Sequence, residues 1–207
     1  MKPSRPELPR EFVAVHKRRR MIDAIAELSA EQGYEATKIA DIVRRAGVAR
    51  KTLYDNFDGK EDLFLAAFDL YLGEVRKDVE EACDATGGAW QQRIESGLAA
   101  FLRCVAERPA AARMCMIEAL SATPAASTRY DAAVREFVAM LKQNAPTGAL
   151  PETIEETLIG GVCWILNQQI RRGEATRAVE LLPELSEFIL SPYHGVLNSP
   201  VKAGRRK

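Results

Sequence analysis

The 207-residue sequence lacks most of the patterns that mark a catalyst. Its two histidines, His16 and His194, lie near the ends, and it has no H-E-x-x-H helix, no nucleophile–base motif and no phosphate-binding glycine loop. The four cysteines, Cys83, Cys104, Cys115 and Cys163, form no C-x-x-C pair and have no histidine at metal-ligand spacing. We therefore expect no enzyme, no metal and no cofactor, and four reduced thiols. Helices fold back on one another, so a redox-sensing cysteine pair stays open as an alternative. No run approaches the roughly eighteen uninterrupted apolar residues of a membrane helix. The charged stretch up to Arg20 has no apolar signal-peptide core, which gives the expectation of a cytoplasmic protein without a membrane partner.

Net charge is missing too, since 29 Lys and Arg balance 29 Asp and Glu. The distribution is less even. Residues 1–62 carry a balance of +2, residues 63–199 of −6 and the last eight residues of +4. A slightly basic head on an acidic body suits a protein that presents one end to phosphate.

Strand-like alternation and Asn-Gly or Asp-Gly hairpin turns between apolar runs are also absent, while apolar residues recur at three-to-four-residue spacing nearly throughout. The expected fold class is all-α, with about nine helices. A first helix over about Phe12 to Gln32 carries Ile22, Ile25, Ala26 and Ser29 on one face and ends at Gly33; Thr37 is placed to cap a short second helix. A third runs from Ala49 to Asn56, and a long fourth starts at Lys60 with Phe64, Phe68, Tyr71, Val75 and Val79 as its stripe. Prolines 109 and 124 open the sixth and seventh. The eighth, Glu152 to Arg172, is apolar on almost every side, and the ninth ends at Ser191-Pro192. The pattern predicts a helix-turn-helix domain over residues 1–60, a larger helical domain over 61–192, and a disordered basic tail over 193–207 bearing Lys202, Arg205, Arg206 and Lys207.

The most informative run is Gly33-Tyr34-Glu35-Ala36-Thr37-Lys38-Ile39-Ala40-Asp41-Ile42-Val43-Arg44-Arg45-Ala46-Gly47-Val48-Ala49-Arg50-Lys51-Thr52-Leu53-Tyr54-Asp55-Asn56-Phe57, followed by Lys60-Glu61-Asp62-Leu63. Two helices too short to stand alone need a tight turn, and Gly47 can take the positive φ it demands. Ile42, Ala46, Val48 and Leu53 then point inward. Arg50, Lys51, Thr52, Tyr54 and Asn56 project from the second helix, a set suited to a major groove: arginine and lysine pair with guanine or phosphate, asparagine with adenine, and tyrosine with phosphate oxygen. Lys17, Arg18, Arg19 and Arg20 oppose the dipole at the start of the first helix, and either a phosphate partner or a solvated charge run accounts for them.

This run resembles the TetR family signature, in which a glycine–aromatic pair, a Thr-capped helix, Ala-Gly-Val, Thr-Leu-Tyr, a Phe and Lys-Glu-x-Leu follow at the same spacing. The resemblance is close over residues 16–68. It departs at Ala49, Lys51, Lys38 and Val43, where the family more often has serine, glycine, a hydroxyl residue and alanine. It implies a double-stranded operator as partner, with Thr37, Lys38, Tyr54 and Lys60 at the phosphates and Arg50, Lys51, Thr52 and Asn56 nearest the base edges. It also implies a homodimer and a small-molecule effector, with repression as the usual mode.

For the dimer, the eighth and ninth helices are expected to pair with those of a second subunit through Gly160, Gly161, Leu185, Phe188 and Ile189. Mid-helix glycines cost roughly 1 kcal/mol each, which close approach of another backbone would offset. A tight contact inside one subunit is the alternative. The effector pocket is expected among helices four to eight, with Phe68, Phe101, Met114, Ile117, Phe137, Met140 and Trp164 as walls and Glu118, Asn167 and Gln168 as orienting polar groups. That composition points to an apolar or aromatic ligand. Each of these residues also serves as plain core. Control by cysteine oxidation, a helical interaction module that keeps the motif only as packing, and a small helical enzyme are the competing functions.

Overall fold

The computed structural model describes residues 10–143, 145–146 and 150–197. Among them every regular element is helical. In chain order these are α1 (Arg10–Gln32), α2 (Ile39–Ala46), α3 (Arg50–Tyr54), α4 (Lys60–Ala85) and α5 (Trp90–Glu107). Next comes α6, in which Pro109–Arg113 continues through a π-helical turn, Met114–Glu118, into Ala119–Ala122. Then follow α7 (Pro124–Lys142), α8 (Ile154–Arg171), a 3-10 segment (Ala175–Leu181) and α9 (Leu182–Leu197).

The elements form two compact units. The first joins the described residues up to Gly73 to Ala110–Tyr130, and the second joins Glu74–Pro109 to the described residues from Asp131 onward. The first unit thus runs past residue 60, where the sequence suggests a division. A three-helix head of about sixty residues is marginal by itself, and here it draws on the first half of α4 and on α6. Met21, Ile22, Ile25, Leu53, Phe64, Phe68 and Met114 form its core. Tyr71 of α4 donates its hydroxyl to Asp23 of α1 at 2.7 Å. Burial and this carboxylate hold the Tyr71 hydroxyl well above its ordinary range.

In the second unit α8 buries one face, Leu158, Val162, Leu166 and Ile170, at a spacing of four. The expectation that α8 is covered all round fails within one chain: Trp164 is 64% and Ile165 39% exposed. The end of α9 also differs from expectation. The helix runs through Pro192 to Leu197, so the tail does not begin at 193; residues 198–207, with the basic cluster, lie outside the described residues. Pro192 has no N–H for the Phe188 carbonyl four residues back, and the Ser191 hydroxyl donates to that oxygen instead at 3.4 Å. Tyr193 then packs on Trp90 with ring centroids 4.6 Å apart. Pro183 stands in the first turn of α9, where a missing N–H is harmless.

Candidate nucleic-acid interface

The α2–α3 turn is made by the main chain. Gly47 sits at φ 59°, ψ 42°, a region that an L side chain enters at about 1–2 kcal/mol. This lets its N–H reach the Arg44 carbonyl at 3.2 Å and the Val48 N–H reach the Val43 carbonyl at 3.0 Å, closing α2 in a Schellman pattern. Arg20 of α1 donates from Nη2 to the Gly47 carbonyl at 2.6 Å and fastens the turn to the longest helix of the head. Arg45 of α2 forks onto Glu31 of α1 at 2.9 and 2.8 Å and also reaches Glu27 at 2.9 Å. The two carboxylates raise the Arg45 pKa, and the same contact lowers that of Glu31.

The arginine run of α1 is accounted for in the same way. Arg18 lies over the Phe57 ring at 4.9 Å, and Arg19 pairs with Asp23 at 2.8 Å while lying over Tyr71 at 5.4 Å. These charges hold the head's own surface together, an answer that neither sequence alternative contained. The signal was present in Asp23, one turn beyond Arg19.

Ile42 and Leu53 are fully buried and Phe57 nearly so, which fixes the roll of α3. With that face inward, Arg50, Lys51, Tyr54 and Asn56 are exposed and Thr52 partly so. The Arg50 guanidinium lies 5.7 Å over the Tyr54 ring, with Nη2 3.5 Å from the hydroxyl. Asn56 donates from Nδ2 to the Thr52 carbonyl at 2.8 Å, so pairing with a base must use its second N–H and its Oδ1. Lys38, at the start of α2, is exposed.

Of the expected phosphate contacts, one side chain is turned inward and another already has a partner. Thr37 is 1% exposed, its hydroxyl donating to the Gly33 carbonyl at 2.8 Å and its N–H to the Tyr34 carbonyl at 3.1 Å. It neither caps α2, whose N-cap is Lys38, nor offers its side chain to DNA. Lys60 donates to the Tyr34 carbonyl at 3.0 Å and stands 4.0 Å over that ring. An ammonium has three donors, so a phosphate would share Lys60 with Tyr34.

The ten expected pocket residues divide between the units. In the first, Phe68, Met114 and Ile117 are core, and Glu118 accepts the Tyr34 N–H at 3.1 Å and so is committed to the head. In the second, Phe101 and Phe137 are tilted ring partners at 5.5 Å, Met140 and Gln168 are half-buried, and Asn167 Oδ1 is buried without a hydrogen-bond partner. Trp164 is exposed and is no pocket wall. Of the expected dimer residues, Leu185 and Ile189 are 3% exposed inside their own subunit. Gly161 faces its own Phe188, whose ring lies 2.8 Å from where a Cβ would stand, so this close approach is intramolecular. Gly160 faces open space, and Phe188 is 40% exposed.

A helix-turn-helix that presents a basic and aromatic helix is an arrangement suited to a DNA major groove. Residues 21–67 match the family described as bacterial regulatory proteins, tetR family. The HTH-type transcriptional regulator YezE of Bacillus subtilis is 41% identical over 61 residues, covering 30% of this chain and 31% of that one. The fatty acid metabolism regulator protein of the same organism is 38% identical over 61 residues, with the same coverage. The matched stretches thus span about a third of these relatives, as the arithmetic of a shared head requires. Beyond the head the likeness is one of fold: FadR from Bacillus subtilis, in complex with stearoyl-CoA, superposes with a TM-score of 0.73 at 19% identity over 85% of this chain and 99% of that one.

Exchanging Arg50 for alanine is expected to cost about 1–3 kcal/mol at the cognate site and to relax preference at one base pair, whereas Tyr54→Phe should weaken all sequences more evenly. Anisotropy titrations against a panel of single-base operator variants check this. Two variants that bind like wild type would mean that α3 presents another face.

Proposed function

We propose that this protein is a homodimeric repressor that binds a palindromic operator through two copies of α3 and is released by a small apolar ligand. The carrying observation is the division of α3, with Leu53 sealed in the core and Arg50, Lys51 and Tyr54 exposed together. Packing alone leaves those three side chains without a purpose. A footprint on the DNA upstream of its own coding region tests the proposal, and a palindromic protected site is the expected result. Failure to protect any DNA there or in a random-sequence selection would sink it.

The ligand class is argued from relatives and fold. A related regulator is named for fatty acid metabolism and a similar fold holds stearoyl-CoA, so long-chain acyl-CoA is the first probe for the apolar effector that the aromatic and methionine residues favour. Helix α4 starts just after α3 and carries residues of both units, which supports a link between effector and head. Acyl-CoA is expected to weaken operator binding by about 5- to 150-fold. By linkage, operator must weaken acyl-CoA binding by the same factor. Calorimetric titrations with and without operator decide the matter, and equal ligand affinities would refute the coupling.

Control by cysteine oxidation has less support. Burial pushes the Cys115 thiol up to about 12, and burial with the Asp78 carboxylate pushes Cys104 up to about 11. Burial also raises Cys83. Such thiols hold little of the reactive thiolate at neutral pH.

A further inference from the structure

We infer that Glu118 is a positioning residue for DNA binding: aimed by the π-helical turn of α6, its carboxylate holds the corner between α1 and α2 and so fixes the recognition helix in its operator-binding place. The inference rests on the proposed regulator function and adds a named residue to it.

Tyr34 is the first residue after the Gly33 that ends α1, and it leads into the segment that starts α2. Its backbone is held at both polar ends. The N–H donates to Glu118 Oε2 at 3.1 Å, and the carbonyl accepts from Lys60 Nζ at 3.0 Å and from the Thr37 N–H at 3.1 Å. Its ring stands edge-on to Phe64 at 4.8 Å and beneath the Lys60 ammonium at 4.0 Å. Three helices meet at this residue, and only the α6 contact is made by an ionised acceptor reaching across 84 positions of sequence. A charge-assisted bond of this kind is roughly twice as strong as a neutral one.

The π turn makes the reach possible. Within it the Ala119 N–H bonds to the Met114 carbonyl five residues back. One residue added to a turn rotates everything beyond it by about 100° relative to an uninterrupted α-helix. Met114, Met116 and Ile117 remain buried through the turn, and the Glu118 side chain, 14% exposed, is delivered against Tyr34. Its other oxygen lies 3.8 Å from Arg113 Nε, a buried group with no hydrogen bond of its own. In α-helical register the carboxylate would be turned away from the corner. The turn at Met114–Glu118 therefore sets whether the head is held, in a helix that the sequence alone assigns to the ligand pocket.

The 207-residue chain is titrated with the footprinted operator by anisotropy, and exchange of the Tyr34 amide is followed by NMR. Glu118→Gln keeps a neutral acceptor oxygen and is expected to bind about threefold more weakly than wild type, between it and Glu118→Ala. Glu118→Ala is expected to bind about tenfold more weakly, with an unchanged salt slope because no phosphate contact is lost, and with faster Tyr34 exchange. Wild-type operator affinity in Glu118→Ala overturns the inference, as does a Glu118→Gln protein as weak as Glu118→Ala with both melting alike. Should the wild type protect no DNA, the regulator function fails by itself. Tyr34 exchange in Glu118→Ala then still tests the clamp, and an unchanged rate overturns it.

Discussion

Trp164→Glu is expected to leave a folded monomer that binds operator at least about a hundredfold more weakly than wild type, since linked half-sites gain 10²–10⁴ in avidity from joint binding. Trp164 is 64% exposed, with Ile165 at 39% beside it and Phe188 of α9 at 40%, while Gly160 leaves the space above the helix open. Covering the exposed 64% of Trp164 would bury about 100–160 Å², worth about 2.5–4 kcal/mol at 25 cal/mol per Å² before the cost of association. A twofold interface covers two such side chains. A glutamate there would be desolvated without a partner, while in a monomer it would be solvated. Sedimentation velocity at micromolar concentration reads the outcome, and a wild type that sediments as a monomer, or a variant that stays dimeric, would remove the dimer from the proposal. Gly161→Leu is a poorer probe: a side chain there meets the subunit's own Phe188, so it would disturb the packing of α8 on α9 before reaching any partner.

Removing the ring of Tyr193 is expected to lower stability by about 3–5 kcal/mol, the usual range for an aromatic core residue cut to alanine. Tyr193 is fully buried, packs on Trp90 and donates its hydroxyl to Glu155 at 2.9 Å; Trp90 in turn donates to the Leu141 carbonyl at 3.3 Å. One side chain thereby ties α9 to α5 and α8. Tyr193→Phe isolates the hydroxyl and should cost about 1–3 kcal/mol, because Glu155 loses its donor. Burial and Glu155 hold the Tyr193 hydroxyl above its ordinary range. Its folded pKa is raised, so this contribution is complete below about pH 10, the unfolded value, and disappears as pH rises through the folded one. Urea denaturation at neutral pH checks the size, and Tyr193→Ala with wild-type stability would show that α9 beyond Pro192 adds nothing to the fold.

The helices were legible because their residues are repetitive and local. Ile22, Ile25, Ala26 and Ser29 share a face of α1, Pro109 and Pro124 open α6 and α7, and Gly47 has the left-handed backbone that the turn requires. The exposure of Arg50, Lys51, Tyr54 and Asn56 follows from the same arithmetic, since burying Leu53 fixes the roll of a short helix. Contacts between residues distant in sequence were not legible. Thr37 has the composition of a cap but is drawn inward by the Gly33 carbonyl, and Pro192 reads as a stop until Ser191 satisfies the carbonyl it orphans and Tyr193 finds Trp90.

Periodicity and turn chemistry in the sequence by themselves determined an all-helical chain and the face its recognition helix presents, because both depend on residues within a turn or two of each other. Tertiary structure decided the rest. It gave Arg18, Arg19 and Arg20 to the head's own surface, joined α6 to the head through Glu118, and turned Leu185 and Ile189 inward while leaving Trp164 outside. The physical reason is that an apolar or charged side chain takes whichever partner the packed helices bring within reach, and spacing along one helix carries no record of what lies across from it.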